Sequence, residues 1–215
     1  MASGDTARRA NGTTRVDDRP AQLLAIATRL FATRGYDGTS LRDIAQEAQI
    51  TKAALYYHFP NKESLYQQIV VENMQRLIDR VNVVVEQARG ATNKVRAFFL
   101  TSVDLYAESP FGWVASSNVF WSGMSSATRS AALSRRDRYE KLLRSCIAEG
   151  IASGEFRDVD AAIAGRLLLS MLNQLPRWHS PKGRLSAHAV MEQFLDIALR
   201  GLVRPPRAPA SSKRS

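Results

Sequence analysis

The stretch from Thr39 to Phe59, TSLRDIAQEAQITKAALYYHF, sets two short apolar rhythms back to back. Leu41, Ile44, Ala45 and Ala48 recur at three- and four-residue steps, the spacing of one helical face. The rhythm breaks at Gln49-Ile50, and a second follows in Leu55 and Phe59. Each run is too short to persist as an isolated helix, because nucleation costs more than one or two turns return. The pair therefore needs a scaffold beneath it and a reason for the second helix to stay short. Leu55 and Phe59 claim the inner side of that helix, which leaves Lys52, Ala53, Tyr56 and Tyr57 pointing outward. Thr39 or Ser40 is placed to cap the first helix, and Thr51 the second.

The scaffold is legible on either side. Pro20 suits a first helical turn, and Leu23, Leu24, Ala27, Leu30 and Phe31 repeat at helical spacing until Gly35, a C-cap. Pro60 closes the short helix, and Asn61 caps a longer one through Leu65, Ile69, Met74, Leu77 and Val81. The segment ARGATNK, 88–94, interrupts the pattern. Further helical pieces are expected at about 94–107, 112–124, 134–152, 158–178 and 186–202, with Pro176 a candidate kink, and there is no convincing alternating strand. The chain therefore reads as all-α: an N-terminal three-helix helix-turn-helix domain at 20–66 and a C-terminal helical bundle at 67–202. A flexible arm (1–19) and a disordered basic tail (203–215) flank them. AAIAGRLLLSMLNQL and AVMEQFLDIALRGL are apolar around more than half their circumference, which fits a core on one side and a partner on the other.

Charge narrows the function less than position does. The net +10 suggests nucleic acid, yet residues 200–215 hold five bases (Arg200, Arg204, Arg207, Lys213, Arg214) and no acid, while 20–65 hold five bases against four acids. Half the excess thus lies at and beyond the last helix. The N-terminus lacks the apolar core of a signal peptide and no run of apolar residues reaches bilayer length, so a cytoplasmic protein with no membrane partner is expected. The single cysteine, Cys146, agrees with a reducing compartment. No Gly-x-Ser-x-Gly elbow, phosphate-binding glycine loop or paired-carboxylate pattern argues for an enzyme. The histidines at 58, 179 and 188 make no metal-ligand spacing with Cys146, so neither metal nor cofactor is expected.

Two helices joined by a tight turn, with a small residue where backbone must approach bases and donors on either side, have the mechanics of a DNA-reading helix-turn-helix. The segment 27–70 resembles the DNA-binding domain of the tetracycline-repressor (TetR) family of bacterial regulators. The resemblance rests on Phe31…Gly35-Tyr36, Thr39-Ser40…Asp43-Ile44-Ala45, Leu55-Tyr56-Tyr57-His58-Phe59 and Asn61-Lys62-Glu63…Leu65. It implies that Ser40, Thr51, Tyr56, His58 and Lys62 bind phosphates, and that Arg42 and Lys52 reach base edges. Ala53 would be the close-approach position, and Tyr57 would meet phosphate or base. Other readings stay open: core tyrosines, a buried neutral His58, Arg42 paired with Gln46 or Glu47, and Lys62 as a solvated bystander. Gln49 departs from the glycine common at the turn and, in a left-handed conformation, would cost roughly 1 kcal/mol relative to glycine.

The resemblance also implies a ligand-binding bundle that dimerises through its last two helices and a near-palindromic operator. Candidate ligand contacts are Phe98, Tyr106, Trp113, Phe120, Trp121 and Trp178, with Arg166 and Asn173 as polar groups; plain core packing is the competing account of the aromatics. RWHSPKGRLS, 177–186, resembles a loop in family members that control fatty-acid and steroid catabolism, some of which respond to acyl-coenzyme A thioesters. The run Arg135, Arg136, Arg138, Lys141 and Arg144 suits a solvated face or a coenzyme's phosphates. The expected function is a ligand-responsive DNA-binding regulator, a repressor released by an apolar or acyl-CoA-like molecule. The alternative is a DNA-binding dimer with no effector.

Overall fold

The computed structural model describes residues 19–116 and 126–203, with 126–128 described by backbone alone. The described residues form nine helices: α1 (Arg19–Arg34), α2 (Leu41–Glu47), α3 (Lys52–His58), α4 (Lys62–Gln87), α5 (Ala91–Glu108), α6 (Pro110–Ala115), α7 (Ser126–Ala152), α8 (Ala161–Trp178) and α9 (Ala187–Leu202). An isolated antiparallel bridge joins Phe156 to Val203, and Arg157 N–H donates to the Leu202 carbonyl at 2.9 Å, so the end of α9 is tied to the α7–α8 turn.

Local chemistry explains most boundaries. Gly35 adopts φ 78° and its N–H returns to the Phe31 carbonyl, ending α1. Ser40 is the cap of α2, in a reciprocal capping box with Asp43. Thr39 instead is buried, and its hydroxyl bonds the Gly35 and Leu30 carbonyls at the end of α1. Thr51, Asn61, Asp160 and Ser186 cap α3, α4, α8 and α9. Gln49 sits at φ 54°, the left-handed turn the sequence made conditional.

Four boundaries differ from expectation; one is α8, which starts at Ala161 rather than about 158 because Asp160 caps it. α5 starts at Ala91 rather than about 94, because Glu155 caps it from a distant part of the chain: its carboxylate accepts from Ala91 N–H at 2.7 Å and Thr92 N–H at 2.9 Å. α7 starts at Ser126 rather than 134, since its first two turns carry small and polar residues and no apolar stripe. The helix expected at 112–124 is the short α6, opened by Pro110, and 117–124 lies outside the described residues. Pro176 lies in the last turn of α8 without ending it, and the helix runs on to Trp178.

Two apolar cores result. The larger joins α4, α5, α7, α8 and α9 around Phe98, Phe99, Leu143, Ile147, Leu168 and Leu195. The smaller lies under α1–α3 and the start of α4, where Leu23, Phe31, Ile44, Leu55, Leu65 and Tyr66 are essentially inaccessible. Ala115 of α6 and Ala132 of α7 belong to this second core, although they come from the middle of the chain. The Tyr66 hydroxyl donates to the Ala115 carbonyl at 2.6 Å, and Phe31 meets Tyr66 edge-on with ring centroids 5.1 Å apart.

Candidate nucleic-acid interface and effector cavity

The short helix α3 is held by two anchors. Leu55 and Phe59 are buried, four residues apart, against the apolar side of α2, and the Thr51 hydroxyl accepts from Ala54 N–H at 3.1 Å. With that side fixed, Thr51, Lys52, Ala53, Tyr56 and Tyr57 are exposed, and Tyr57 keeps 87% of its surface open. Lys52 Nζ lies 5.4 Å from the Tyr56 ring, and the His58 ring meets that of Tyr57 edge-on. The outcome is a rod with apolar feet and a polar, aromatic outer side.

The remaining candidates of this surface divide by what already holds them. Arg42 is exposed at the first turn of α2, while Glu47, one of its possible partners, pairs with Arg29 at 2.5 Å. His58 is half-buried at the edge of the scaffold. Ser40 spends its hydroxyl proton on Asp43 at 2.6 Å, so toward an anion it offers little as a donor. Bonding from the Ser40 hydroxyl and backbone N–H holds the Asp43 carboxyl below its usual range. Lys62 turns back into the protein: its ammonium donates to the Tyr36 carbonyl at 2.9 Å and lies 4.1 Å from the Tyr36 ring centroid. An ammonium carries two further N–H donors beyond the one given to that carbonyl.

Between α4, α5, α6, α7 and α8 lies a cavity of about 680 Å³, within the usual size of small-molecule sites. Met74, Leu77, Leu105, Val114 and Leu169 give it apolar walls, and Trp113 closes one side. Four arginines contribute to the lining, Arg76, Arg136, Arg166 and Arg177, against one acid, Glu140. Glu140 is itself paired with Arg144 at 2.8 Å. Arg76, Arg166 and Arg177 are exposed, which puts the positive charge at the rim and the apolar surface inside. Arg166 and Glu140 also border a second, shallower groove with Lys141 and Arg144.

The sequence candidates for this cavity separate. Trp113, Arg166 and Asn173 line it, with Asn173 exposed rather than enclosed among leucines. Tyr106 stands behind Trp113, ring centroids 6.1 Å apart. Phe98 is fully buried in the core, 4.5 Å from the Tyr139 ring centroid and away from the cavity wall. Trp178 packs on Phe194 at the outer surface and also lies away from it. Phe120 and Trp121 fall outside the described residues. Arg76, from the middle of α4, was missed, because a lone arginine among polar neighbours on a long helix carries no signal of what it faces.

α6 bridges the two regions. Gly112, Trp113 and Val114 border the cavity, Asn73 Nδ2 reaches the Gly112 carbonyl at 3.4 Å and the Ser116 hydroxyl at 3.3 Å, and the next residue, Ala115, enters the core under the reading helices. α8 and α9 also expose Ile163, Leu167 and Ile197, at 65%, 63% and 75%. Among the described residues no helix is long and apolar enough to cross a membrane.

Residues 23–69 match the family of bacterial regulatory proteins called tetR, and residues 88–202 match the tetracyclin repressor-like C-terminal domain. The chain belongs to the TetR family. Among curated relatives, it is 30% identical to the HTH-type transcriptional repressor KstR2 of Rhodococcus jostii, covering 91% of this chain and 97% of that one. Among solved structures, the ketosteroid transcriptional regulator KstR2 of Mycobacterium tuberculosis superposes with TM-score 0.82 at 27% identity, covering 89% of this chain and 98% of that one. AibR, solved in complex with isovaleryl coenzyme A and operator DNA, superposes with TM-score 0.77 at 26% identity over 83% of this chain and 97% of that one. This TetR-family chain therefore has the build of a DNA-binding transcriptional regulator, and TetR regulators act as dimers on operator DNA.

Proposed function

We propose that the protein is a dimeric repressor that leaves an inverted-repeat operator when an acyl-coenzyme A thioester, or a lipid-like anion of similar build, enters the bundle. The observation that carries the reading is the polarity of the cavity: apolar inside, arginine-rich at the rim. An acyl chain suits the interior, and the phosphates of a coenzyme suit guanidinium groups, which bind phosphate oxygens in pairs. The structural likeness to AibR, solved with isovaleryl coenzyme A, supports the same class.

On DNA, Lys52 and Arg42 would read base edges, with guanine O6 and N7 the natural targets. Ala53 would let the backbone approach, Thr51, Tyr56 and His58 would bind phosphates, and Tyr57 would meet phosphate or base. The exposed apolar faces of α8 and α9 would join two copies, setting the two reading helices about 34–36 Å apart, one turn of B-DNA. A ligand that binds better to one arrangement of α4 and α6 shifts the population toward it, and the paired reading helices lose the operator spacing.

The test is selection of duplexes from a random pool by the purified protein, followed by titration of acyl-CoAs of increasing chain length into the selected complex. Recovery of an inverted repeat and its release by an acyl-CoA, with free coenzyme A much weaker, is the expected result. Recovery without release by any acyl-CoA or steroid thioester would leave a DNA-binding dimer lacking this effector class. Failure to prefer any inverted repeat over scrambled duplex would end the operator reading itself.

A further inference from the structure

Asn73 stands in the middle of α4, and its half-buried side chain lines the cavity. Asparagine is a weak helix former, and here bonds to another helix set its pose. Its Nδ2 reaches the Gly112 carbonyl at 3.4 Å and the Ser116 hydroxyl at 3.3 Å, in α6 and directly after it. A carbonyl accepts only from a donor, so the orientation of the amide is fixed and both of its protons are committed. Ser109, at the turn from α5 to α6, lines the same cavity, and its side chain makes no capping bond to α6. Among the described residues, the Asn73 Oδ1 and the Ser109 Oγ have no hydrogen-bond partner.

Gly112 shows that these two side chains converge. A Cβ at this residue would lie 2.6 Å from the Ser109 Oγ and 3.3 Å from the Asn73 Nδ2, so the bare Cα leaves room for both. A fixed acceptor and a free hydroxyl thus share one corner of a cavity whose neighbouring walls are Met74, Leu77, Leu105 and Val114. A purely apolar ligand filling this corner would strip both groups of water and return no bond, which selects against it.

The chemistry of a matching group follows by elimination. The Oδ1 only accepts, so its partner must carry a proton. A carboxylate has none to give. An ammonium would enter a site with four arginines and one acid, and that acid, Glu140, is already paired with Arg144. A hydroxyl or a secondary amide remains: each donates to Asn73 and accepts from Ser109. An acyl-CoA offers the amides of its pantetheine arm, and a hydroxyl wherever the acyl body is hydroxylated.

We propose that Asn73 and Ser109 are specificity-determining residues of the effector cavity, selecting a neutral group that is donor and acceptor at once, an amide or a hydroxyl. The proposal rests on the effector reading and deepens it.

The test is titration of the full-length protein with octanoyl-CoA, 3-hydroxyoctanoyl-CoA and a coenzyme-free probe, N-methylhexanamide. Calorimetry reads the thioesters, and the Trp113 indole resonance reads the small amide. Ser109→Ala takes away no bond that the protein makes for itself, so its unfolding midpoint should equal that of the wild type. Its affinity should fall by about fivefold, the worth of one hydrogen bond. Gly112→Ala, whose methyl displaces the Ser109 hydroxyl, should show the same loss. Asn73→Leu should lose at least as much. Equal losses on both thioesters would assign the corner to a pantetheine amide; a loss confined to the hydroxylated thioester would assign it to the acyl body. Thioester affinities unchanged in both Ser109→Ala and Gly112→Ala would overturn the proposal. If neither thioester binds the wild-type protein, the acyl-CoA reading fails by itself. The corner then stands if N-methylhexanamide binds and weakens in Ser109→Ala, and falls if it does not.

Discussion

Lys52 and Gln49 stand three positions apart and carry opposite kinds of information. Lys52 is exposed at the first turn of α3, where a side chain entering the groove meets base edges. Lys52→Ala should relax the preference at one position of each half-site by about 1–3 kcal/mol, seen as unequal losses across a panel of single-base operator variants. Equal losses over the whole panel would mark Lys52 as a phosphate contact. Gln49 holds φ 54° without being glycine, at a position where the chain must turn between α2 and α3. Gln49→Gly should raise the unfolding free energy by roughly 0.5–1 kcal/mol after the added freedom of the unfolded chain is deducted. Denaturant melts of the pair would measure it, and a lower midpoint for Gln49→Gly would show that the turn carries no strain. At this scale the sequence was most readable where a side chain's neighbours are local. Leu55, Phe59 and the outward face of α3 followed from spacing alone. For Ser40 and Lys62 the neighbours are less legible, and only the fold places Asp43 and Tyr36 against them.

The elements tell a similar story about distance along the chain. Helices capped by their own residues, such as α2, α3, α4 and α9, were legible close to their observed starts. α5 was not, since Gly90 offers no side chain and the cap comes from Glu155. The hydroxyl of Thr92, and after it the N–H groups of Thr92 and Ala91, hold the Glu155 carboxyl below the usual glutamate range. A carboxyl lowered in the folded state stabilises above its unfolded value near 4.5, and that contribution is lost as pH falls through the lower folded value. Glu155→Gln should therefore destabilise by about 1–2 kcal/mol at neutral pH and much less in the acid limb. Urea midpoints across pH 2–7 would show the two curves converging on the acid side, and parallel curves would show that the charge plays no part. The aromatics of α5 and α6 were the harder case. Phe98 and Trp113 are equally apolar and both at helical spacing, yet one fills the core and the other walls the cavity. Which side of an all-apolar face meets empty space depends on the partner helices, and composition is silent on that.

For the whole molecule, the exposed stripe of Ile163, Leu167 and Ile197 is the feature that most affects function if two copies must act together. Charged residues placed within a buried apolar interface remain unpaired and cost several kcal/mol per contact. The doubly substituted Ile163→Asp, Ile197→Asp protein should sediment as a folded monomer. It should lose the recovered duplex far more than the scrambled one, since a single reading helix makes half the contacts. A dimer that survives both substitutions would place the partner surface elsewhere. The broad apolar faces of the last two long helices made this surface visible from sequence, and Arg166 and Arg136 were already candidates for a ligand or its phosphates, whereas Arg76, alone on α4, carried no such signal.

Ala115 and Ala132 complete the packing beneath the reading helices although they are separated from them by the length of α4 and α5. A fragment ending shortly after Tyr66 would carry an unfilled hollow and a tyrosine hydroxyl with no carbonyl to meet. Chimeras that graft this N-terminal region onto another regulator's body must therefore import the matching short sixth helix as well, or accept a head that sits loosely on its new host.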